Sequence, residues 1–265
     1  MTGTKGKAVI TGASSGIGAV YADRLAKRGY DLILIARRED KLTEVAERIG
    51  ANTGRSIELF PADLTDELDL ARAETLLKSD PEISVLINNA GLGGAGTLVQ
   101  SDVDKMSAMI SLNVTALMRL TYAIVPKFVA RGAGTIINIG SVVAITPETL
   151  NGVYGGTKAF VLAFSQNLRQ ELENTGVDVQ VVLPGATHTD FWAISGRPVE
   201  LLPHEIVMST DDLVDSALIG LDRREFVTIP SLQDAELFND YESARQAMIG
   251  ELSNARPALR YRVAA

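Results

Sequence analysis

Two periodicities alternate along the chain. Short, nearly continuous apolar runs recur at Ala8–Thr11, Asp31–Ala36, Ser56–Pro61, Val85–Asn88, Thr135–Gly140, Asp178–Leu183 and Phe226–Ile229, as expected of strands covered on both faces. Between them apolar positions follow the helical period, most regularly over Ile17–Arg28, Lys41–Ile49, Leu68–Lys78, Val103–Ala130, Ala159–Asn174 and Asp211–Arg223. This order predicts an α/β fold: a doubly wound, seven-stranded parallel sheet with helices on both faces, in a single domain over residues 1–265.

Two regions break the alternation. Residues 184–209 carry Gly, Pro and Thr with Phe191 and Trp192 but no strand pattern. A loop of this length inside a compact domain is usually functional, and a substrate lid is expected there. The polar tail 231–265 has one helical stretch near Ala235–Leu252 and is expected to cover the site or pack on a neighbouring subunit.

Composition narrows the function classes. The chain has 265 residues, 46% of them hydrophobic, a formal net charge of −8 and no cysteine. Disulfides, thiolate nucleophiles and zinc–thiolate sites are thereby excluded, and no metal site is expected. The N-terminal residues run directly into an apolar strand without a signal-peptide pattern, and no apolar run reads as a membrane span. A soluble, cytoplasmic protein is expected. The acidic balance argues against a nucleic-acid surface and against docking on an anionic membrane. A bound phosphate must therefore be held by local groups, which screening over about 8 Å permits.

The first strand leads into Thr11-Gly12-Ala13-Ser14-Ser15-Gly16-Ile17-Gly18 and then a helix. Gly12 allows the tight turn, Gly16 lets a pyrophosphate approach the backbone, and Gly18 lets helix and strand pack closely. With Ser14, Ser15 and Ile17 they form a candidate phosphate cradle at a helix N-terminus, where free N–H groups and the dipole favour an anion. This is the sequence mark of a Rossmann fold. The acidic residue that often reads the ribose hydroxyls after the second strand is absent: Ala36 stands there, followed by Arg37 and Arg38. An Arg fork matches a 2′-phosphate, which predicts NADP(H) over NAD(H).

Further motifs follow in order: Asp63-Leu64, Asn88-Asn89-Ala90-Gly91, Asn113, Ser141, Tyr154-Gly155-Gly156-Thr157-Lys158, then Pro184-Gly185, Thr187 and Thr189. With the glycine turn, this series resembles the classical short-chain dehydrogenase/reductase family, of the NADP-preferring carbonyl reductase type, from Lys7 to about Arg223. The resemblance implies that Asp63 reads the adenine amino group and that Asn89 steadies the central strand beside the cofactor. It also implies that Asn113 holds a water of the proton relay and that Thr189 orients the nicotinamide carboxamide. Leu64, Ala90, Gly91, Pro184 and Gly185 fall in the same cofactor-binding motifs. Thr187 departs from the Val or Ile that many members carry, at a position the family uses mainly through its backbone. A homodimer or homotetramer is a further implication, consistent with more apolar residues on the two longest helices than one buried stripe needs.

Carbonyl reduction requires a hydride at carbon and a proton at oxygen. Tyr154 and Lys158 stand at i and i+4, one face of a helix. Moving a Tyr from about 10 to near 7 takes roughly 4 kcal/mol. A positive charge about 5 Å away, at an effective dielectric of about 20, supplies roughly 3 kcal/mol. The helix N-terminus adds about 0.3–1 kcal/mol, so a lowered Tyr154 pKa is expected. Ser141 would donate a hydrogen bond to the substrate oxygen, and Lys158 would also grip the nicotinamide ribose. Taken alone, the Tyr154/Lys158 spacing reads as an ordinary amphipathic-helix pair; the glycine turn and Asn113 in the same chain reverse that reading. His188 and His204 read as loop residues, and no Ser/His/Asp elbow surrounds Ser141. Phe191, Trp192 and Ile194 are either lid packing or the lining of an apolar pocket.

The expected activity is hydride transfer between NADP(H) and a small or medium apolar ketone or secondary alcohol. Two alternatives remain: a 3-ketoacyl carrier-protein or thioester reductase, disfavoured by the acidic Glu171-Leu172-Glu173-Asn174-Thr175, and a non-catalytic NADP-sensing regulatory protein.

Overall fold

The computed structural model describes residues 4–94, 96–194 and 198–261. Parts of the expected lid (195–197, with the side chain of Ile194) and tail (262–265) lie outside the described residues. The chain divides into two compact units, one up to Pro230 and one from Ser231 onward.

The first unit is built on β1 (Lys7–Thr11), β2 (Asp31–Ala36), β3 (Ile57–Pro61), β4 (Ile83–Asn88), β5 (Gly134–Ile139), β6 (Val177–Val182) and β7 (Val227–Thr228). All pair in parallel, in the order β3-β2-β1-β4-β5-β6-β7. The helices are α1 (Gly16–Lys27), α2 (Glu39–Thr53), α3 (Glu67–Ser79), α4 (Val103–Ile110), α5 (Leu117–Arg131), α6 (Gly152–Glu171), the short α7 (Phe191–Ile194) and α8 (Thr210–Asp222). The expected seven-stranded, doubly wound sheet is observed. Its near-continuous apolar strands split by parity between two cores: Ala8, Ile10, Leu32 and Leu34 face Tyr21, Leu25, Leu213 and Val214 of α1 and α8. Val9, Ile33, Ile35 and Leu86 face Leu77, Leu120, Ile124 and Phe128 of α3 and α5.

Several observed features differ from the predicted ones. The helix whose regular period runs from Ala159 opens at Gly152, two residues before Tyr154; Gly152, Gly155 and Gly156 blur the apolar period there, while the Asn151 side chain caps the first turn. The helix expected unbroken over Val103–Ala130 contains a π-helical segment at Ser111–Ala116, which shifts side-chain phase and cannot be read from period alone. The 29-residue stretch Val103–Arg131 is also long enough, and over an 18-residue window of mean hydropathy 1.5 apolar enough, to cross a membrane, against the expectation that no run would be. Its apolar stripe is the core face just described. In addition, residues 186–188 and Met208 form a parallel bridge, His188 N–H donating to Met208 O and Met208 N–H to Ala186 O, each at 2.9 Å, where no strand was expected.

The second unit contains α9 (Glu236–Ala247), shorter than the expected Ala235–Leu252, followed by a 3-10 turn at Ile249–Glu251. Leu237, Tyr241, Met248, Ile249 and Leu252 are exposed.

Candidate active site

Parallel strands present their carboxyl ends on one side of the sheet, and a ligand crevice forms where the strand order reverses. Here β1 is that point, lying between β2 and β4. Gly12, Arg37, Asp63, Asn89, Ser141 and Pro184 all follow directly, or within two residues, on the ends of β1 to β6.

The turn after β1 is fixed from both sides. Gly12 has φ +66°, and a Cβ there would come within 2.9 Å of Ala90 Cα and Asn89 Nδ2. The Asn89 amide donates to Thr11 O (2.9 Å) and Gly12 O (3.1 Å), while Thr11 Oγ1 accepts from the Asn89 and Ala90 N–H groups, each at 3.0 Å. Asn89 thus ties the ends of β1 and β4 together. Thr11, to which the sequence assigns no role beyond its place at the join of strand and turn, is the other half of this clamp. The first turn of α1 has no acidic residue, and its N-cap Ser15 makes no side-chain capping bond. Positive dipole and N–H groups therefore face the turn without an internal counter-charge. Thr189 lies over Gly16, its Cγ2 at 3.2 Å from where a Cβ would be.

Arg37 and Arg38 are exposed at the entry to α2. Arg37 Nη1 stands 4.0 Å from Asp63 Oδ2, and Asp63 Oδ1 accepts from the Thr65 N–H and hydroxyl at 2.9 and 2.7 Å. Leu64 is buried beside them. Glycine turn, Arg37 and Asp63 together form a surface with an anion cradle at one end and a cation–carboxylate pair at the other, which suits the two ends of a phosphorylated dinucleotide.

The second half of the site is carried by β4, β5, α6 and the π segment. Ser141, Tyr154, Lys158 and Asn113 are all buried. Lys158 Nζ lies 5.8 Å from the centroid of the Tyr154 ring and donates to Ile139 O at 2.9 Å, at the end of β5. Ser141 Oγ donates to Pro184 O at 3.4 Å and is placed to hydrogen-bond the Tyr154 phenol. Asn113 accepts from Leu92 N–H at 2.8 Å and donates to Leu92 O at 2.9 Å and Thr157 Oγ1 at 3.1 Å. Thr157 in turn donates to Tyr154 O at 2.8 Å, so the π segment is braced against the helix bearing Tyr154. Gly91 sits between the two: a Cβ there would meet Asn113 Oδ1 at 3.3 Å and Lys158 Nζ at 3.8 Å.

The electrostatics reverse one expectation. Burial pushes the Tyr154 phenol up to about 12, with the Ser141 hydrogen bond acting in the opposite direction. Burial also brings Lys158 down to about 8. Desolvation penalises phenolate and ammonium alike, and for both groups it is the largest cause of the shift. Burial thus favours the neutral form of each group, and Tyr154 holds its proton through neutral pH.

Aromatic and apolar side chains close the site. Phe191 packs on Tyr154 with centroids 5.5 Å apart and meets Trp192 edge-on at 5.7 Å. Trp192 donates its indole N–H to Thr187 O at 2.9 Å. Leu92, Met106, Met109, Val143, Leu150 and Val153 complete an apolar cluster around Tyr154.

Fold and site together define a dinucleotide-binding α/β oxidoreductase. The family pattern described as "short chain dehydrogenase" matches residues 6–197. Sulfoacetaldehyde reductase 2 of Chromohalobacter salexigens is 39% identical over 189 residues, covering 69% of this chain and 73% of that protein. Human 17-beta-hydroxysteroid dehydrogenase type 3 is 37% identical, covering 69% of this chain and 59% of that protein. Among solved structures, a short-chain dehydrogenase from Sphingobium yanoikuyae in complex with NADPH is 48% identical, with a TM-score of 0.94 over 97% of this chain and 100% of that one. The bulky-bulky ketone specific alcohol dehydrogenase from Comamonas testosteroni is 45% identical, with a TM-score of 0.89 over 97% of this chain and 98% of that one. The chain belongs to the short-chain dehydrogenase/reductase family.

Proposed function

We propose that this enzyme interconverts an apolar ketone and its secondary alcohol with NADP(H), Tyr154 exchanging the proton. The observation that carries this reading is a buried Tyr154, flanked by Ser141 and Lys158 and enclosed by apolar side chains. The ligands named for the Sphingobium and Comamonas proteins, NADPH and a bulky-bulky ketone, agree with it. The nicotinamide, when bound, supplies the hydride to the carbonyl carbon. Ser141 holds the carbonyl oxygen by a hydrogen bond, Tyr154 delivers the proton to it, and the Lys158 ammonium stabilises the negative charge left on the phenol. Asn113 positions Gly91 and Thr157 around them. Phe191 and the described part of 184–209 border the substrate, and Thr187 and Thr189 face the cofactor from that segment. The test is NADPH oxidation against a panel of ketones. Turnover of bulky apolar ketones above short or charged ones is expected; a preference for thioester-linked ketones would overturn the assignment.

Gly12, Ser14, Ser15, Gly16, Ile17 and Gly18 hold the pyrophosphate in this reading, Asp63 and Leu64 border the adenine, and Arg37 and Arg38 take the 2′-phosphate. A hydrogen bond to a charged group is worth about 1.5–3 kcal/mol, so Arg37→Ala should raise the KM for NADPH about tenfold to a hundredfold while NADH kinetics change little. Equal losses with both cofactors would remove Arg37 from the phosphate site.

Self-association through the outer faces of α5 and α6 is also proposed. Tyr122, 70% exposed, stacks on Phe164, which stacks on Phe160, an aromatic row of the kind enriched in interfaces. Tyr122→Glu should place a charge in that row and halve the mass measured by light scattering; an unchanged mass would move the interface elsewhere.

A further inference from the structure

We propose that Asn151 is a positioning residue that couples the start of the helix bearing Tyr154 to the wall of the substrate site, and so governs which ketones reach Tyr154. The inference rests on the ketone reductase reading above. The two ends of its amide do different work. Oδ1 faces α6, accepting from Val153 N–H at 2.9 Å and Tyr154 N–H at 3.4 Å. It therefore closes the turn on which Tyr154 sits. Nδ2 faces the other way, donating to Gly96 O at 2.7 Å and Ser101 Oγ at 3.0 Å.

What Nδ2 holds is the foundation of the apolar wall. Ser101 precedes Asp102, the N-cap of α4, whose side chain accepts from Asp104 N–H. Helix α4 carries Met106 and Met109, which pack around Tyr154. Gly94 runs over both, a Cβ there lying 3.1 Å from Met109 Cε, 3.5 Å from Met106 Cε and 3.8 Å from Asn151 Cβ. Methionine walls are unbranched and adaptable, so their backbone must be fixed elsewhere if the site is to have a defined width. Ser101 Oγ also holds this turn from within, donating to Thr97 O at 2.7 Å, and Asn151, buried and with both ends of its amide engaged, ties the turn to α6.

Three variants separate the two ends. Asn151→Ser keeps a good helix cap but is too short to reach Gly96; Ser101→Ala weakens the tether without touching α6; Asn151→Ala removes cap and tether. Amide hydrogen exchange reads the tether without turnover: residues 96–104 should exchange faster in all three, and the first turn of α6 only in Asn151→Ala. Two lost hydrogen bonds correspond to a KM for bulky ketones raised about tenfold in Asn151→Ser, with kcat far less affected, whereas Asn151→Ala should lower kcat as well. Unchanged exchange at 96–104 in Asn151→Ser, or faster exchange there without a KM shift, would overturn the proposal. A wild-type enzyme that reduced no ketone would instead remove the functional reading, leaving the exchange measurement to judge the tether by itself.

Discussion

Tyr154→Phe should lower kcat for ketone reduction by about 10²–10⁴, the usual contribution of a positioned proton donor. The substitution removes one oxygen and leaves the ring, so its packing against Phe191 at 5.5 Å is retained and no cavity opens. NADPH should still bind, its Kd changing by less than about tenfold because at most one hydrogen bond is lost. Activity and binding are read separately, by NADPH oxidation and by fluorescence titration; a variant as active as wild type would remove Tyr154 from the proton transfer. The pH profile of the wild type adds a second constraint. Tyr154, raised to about 12, remains a donor throughout the accessible range, whereas Lys158, lowered to about 8, does not keep its charge. Below about 8 the ammonium is present to stabilise the emerging phenolate, and above it the charge is lost. The kcat/KM for reduction should therefore fall as pH rises through about 8, with the lysine and not the tyrosine setting the limb. A profile flat to pH 10 would show that the Lys158 charge is not needed.

That reversal marks the boundary of what the sequence made legible. Motif order brought Gly12, Asp63, Asn89 and Ser141 to one end of the sheet because parallel strands present their carboxyl ends together, and Tyr154 and Lys158 to one face of the helix that follows Ser141. Nothing beyond strand order and helical spacing is needed for that. The pKa values depend instead on how completely Tyr154 and Lys158 are removed from water, a property of the whole enclosure by Phe191, Val143 and the two methionines. A pairwise Coulomb estimate contains the attraction and omits the enclosure, so for Tyr154 the two point in opposite directions. The π segment around Asn113 was hidden for a related reason: a single extra residue per turn leaves the apolar composition intact and changes only its phase. Asn151 was the recoverable omission, since Asn at the start of a helix three residues before Tyr154 is a capping signal in its own right.

Gly18→Ala should cost NADPH affinity more than any Arg37 change, because it alters the cradle and not one contact within it. A Cβ on Gly18 would meet the Gly12 carbonyl and stand 2.6 Å from Asn89 Nδ2. Both belong to the clamp that joins β1 to β4, and the obstructing atoms are backbone or an amide already committed to Thr11 and Gly12. None can rotate aside, so α1 must move away from the strand, carrying its N-terminal N–H groups off the turn. Overpacking of this kind costs about 1–3 kcal/mol, or a fall in Tm of roughly 5 °C for a chain of this size. Loss of the phosphate cradle should weaken NADPH binding about a hundredfold or more, since several charge-assisted bonds are displaced at once. Gly156→Ala is the matched control: nothing lies within 4 Å of a Cβ there, inside α6, and the helix should gain about 0.5–1 kcal/mol. Calorimetry and NADPH titration on the pair distinguish close approach from glycine's flexibility. Were Gly18→Ala to bind NADPH as wild type does, the turn would not be the phosphate site, and Arg37 would be reading some other anion.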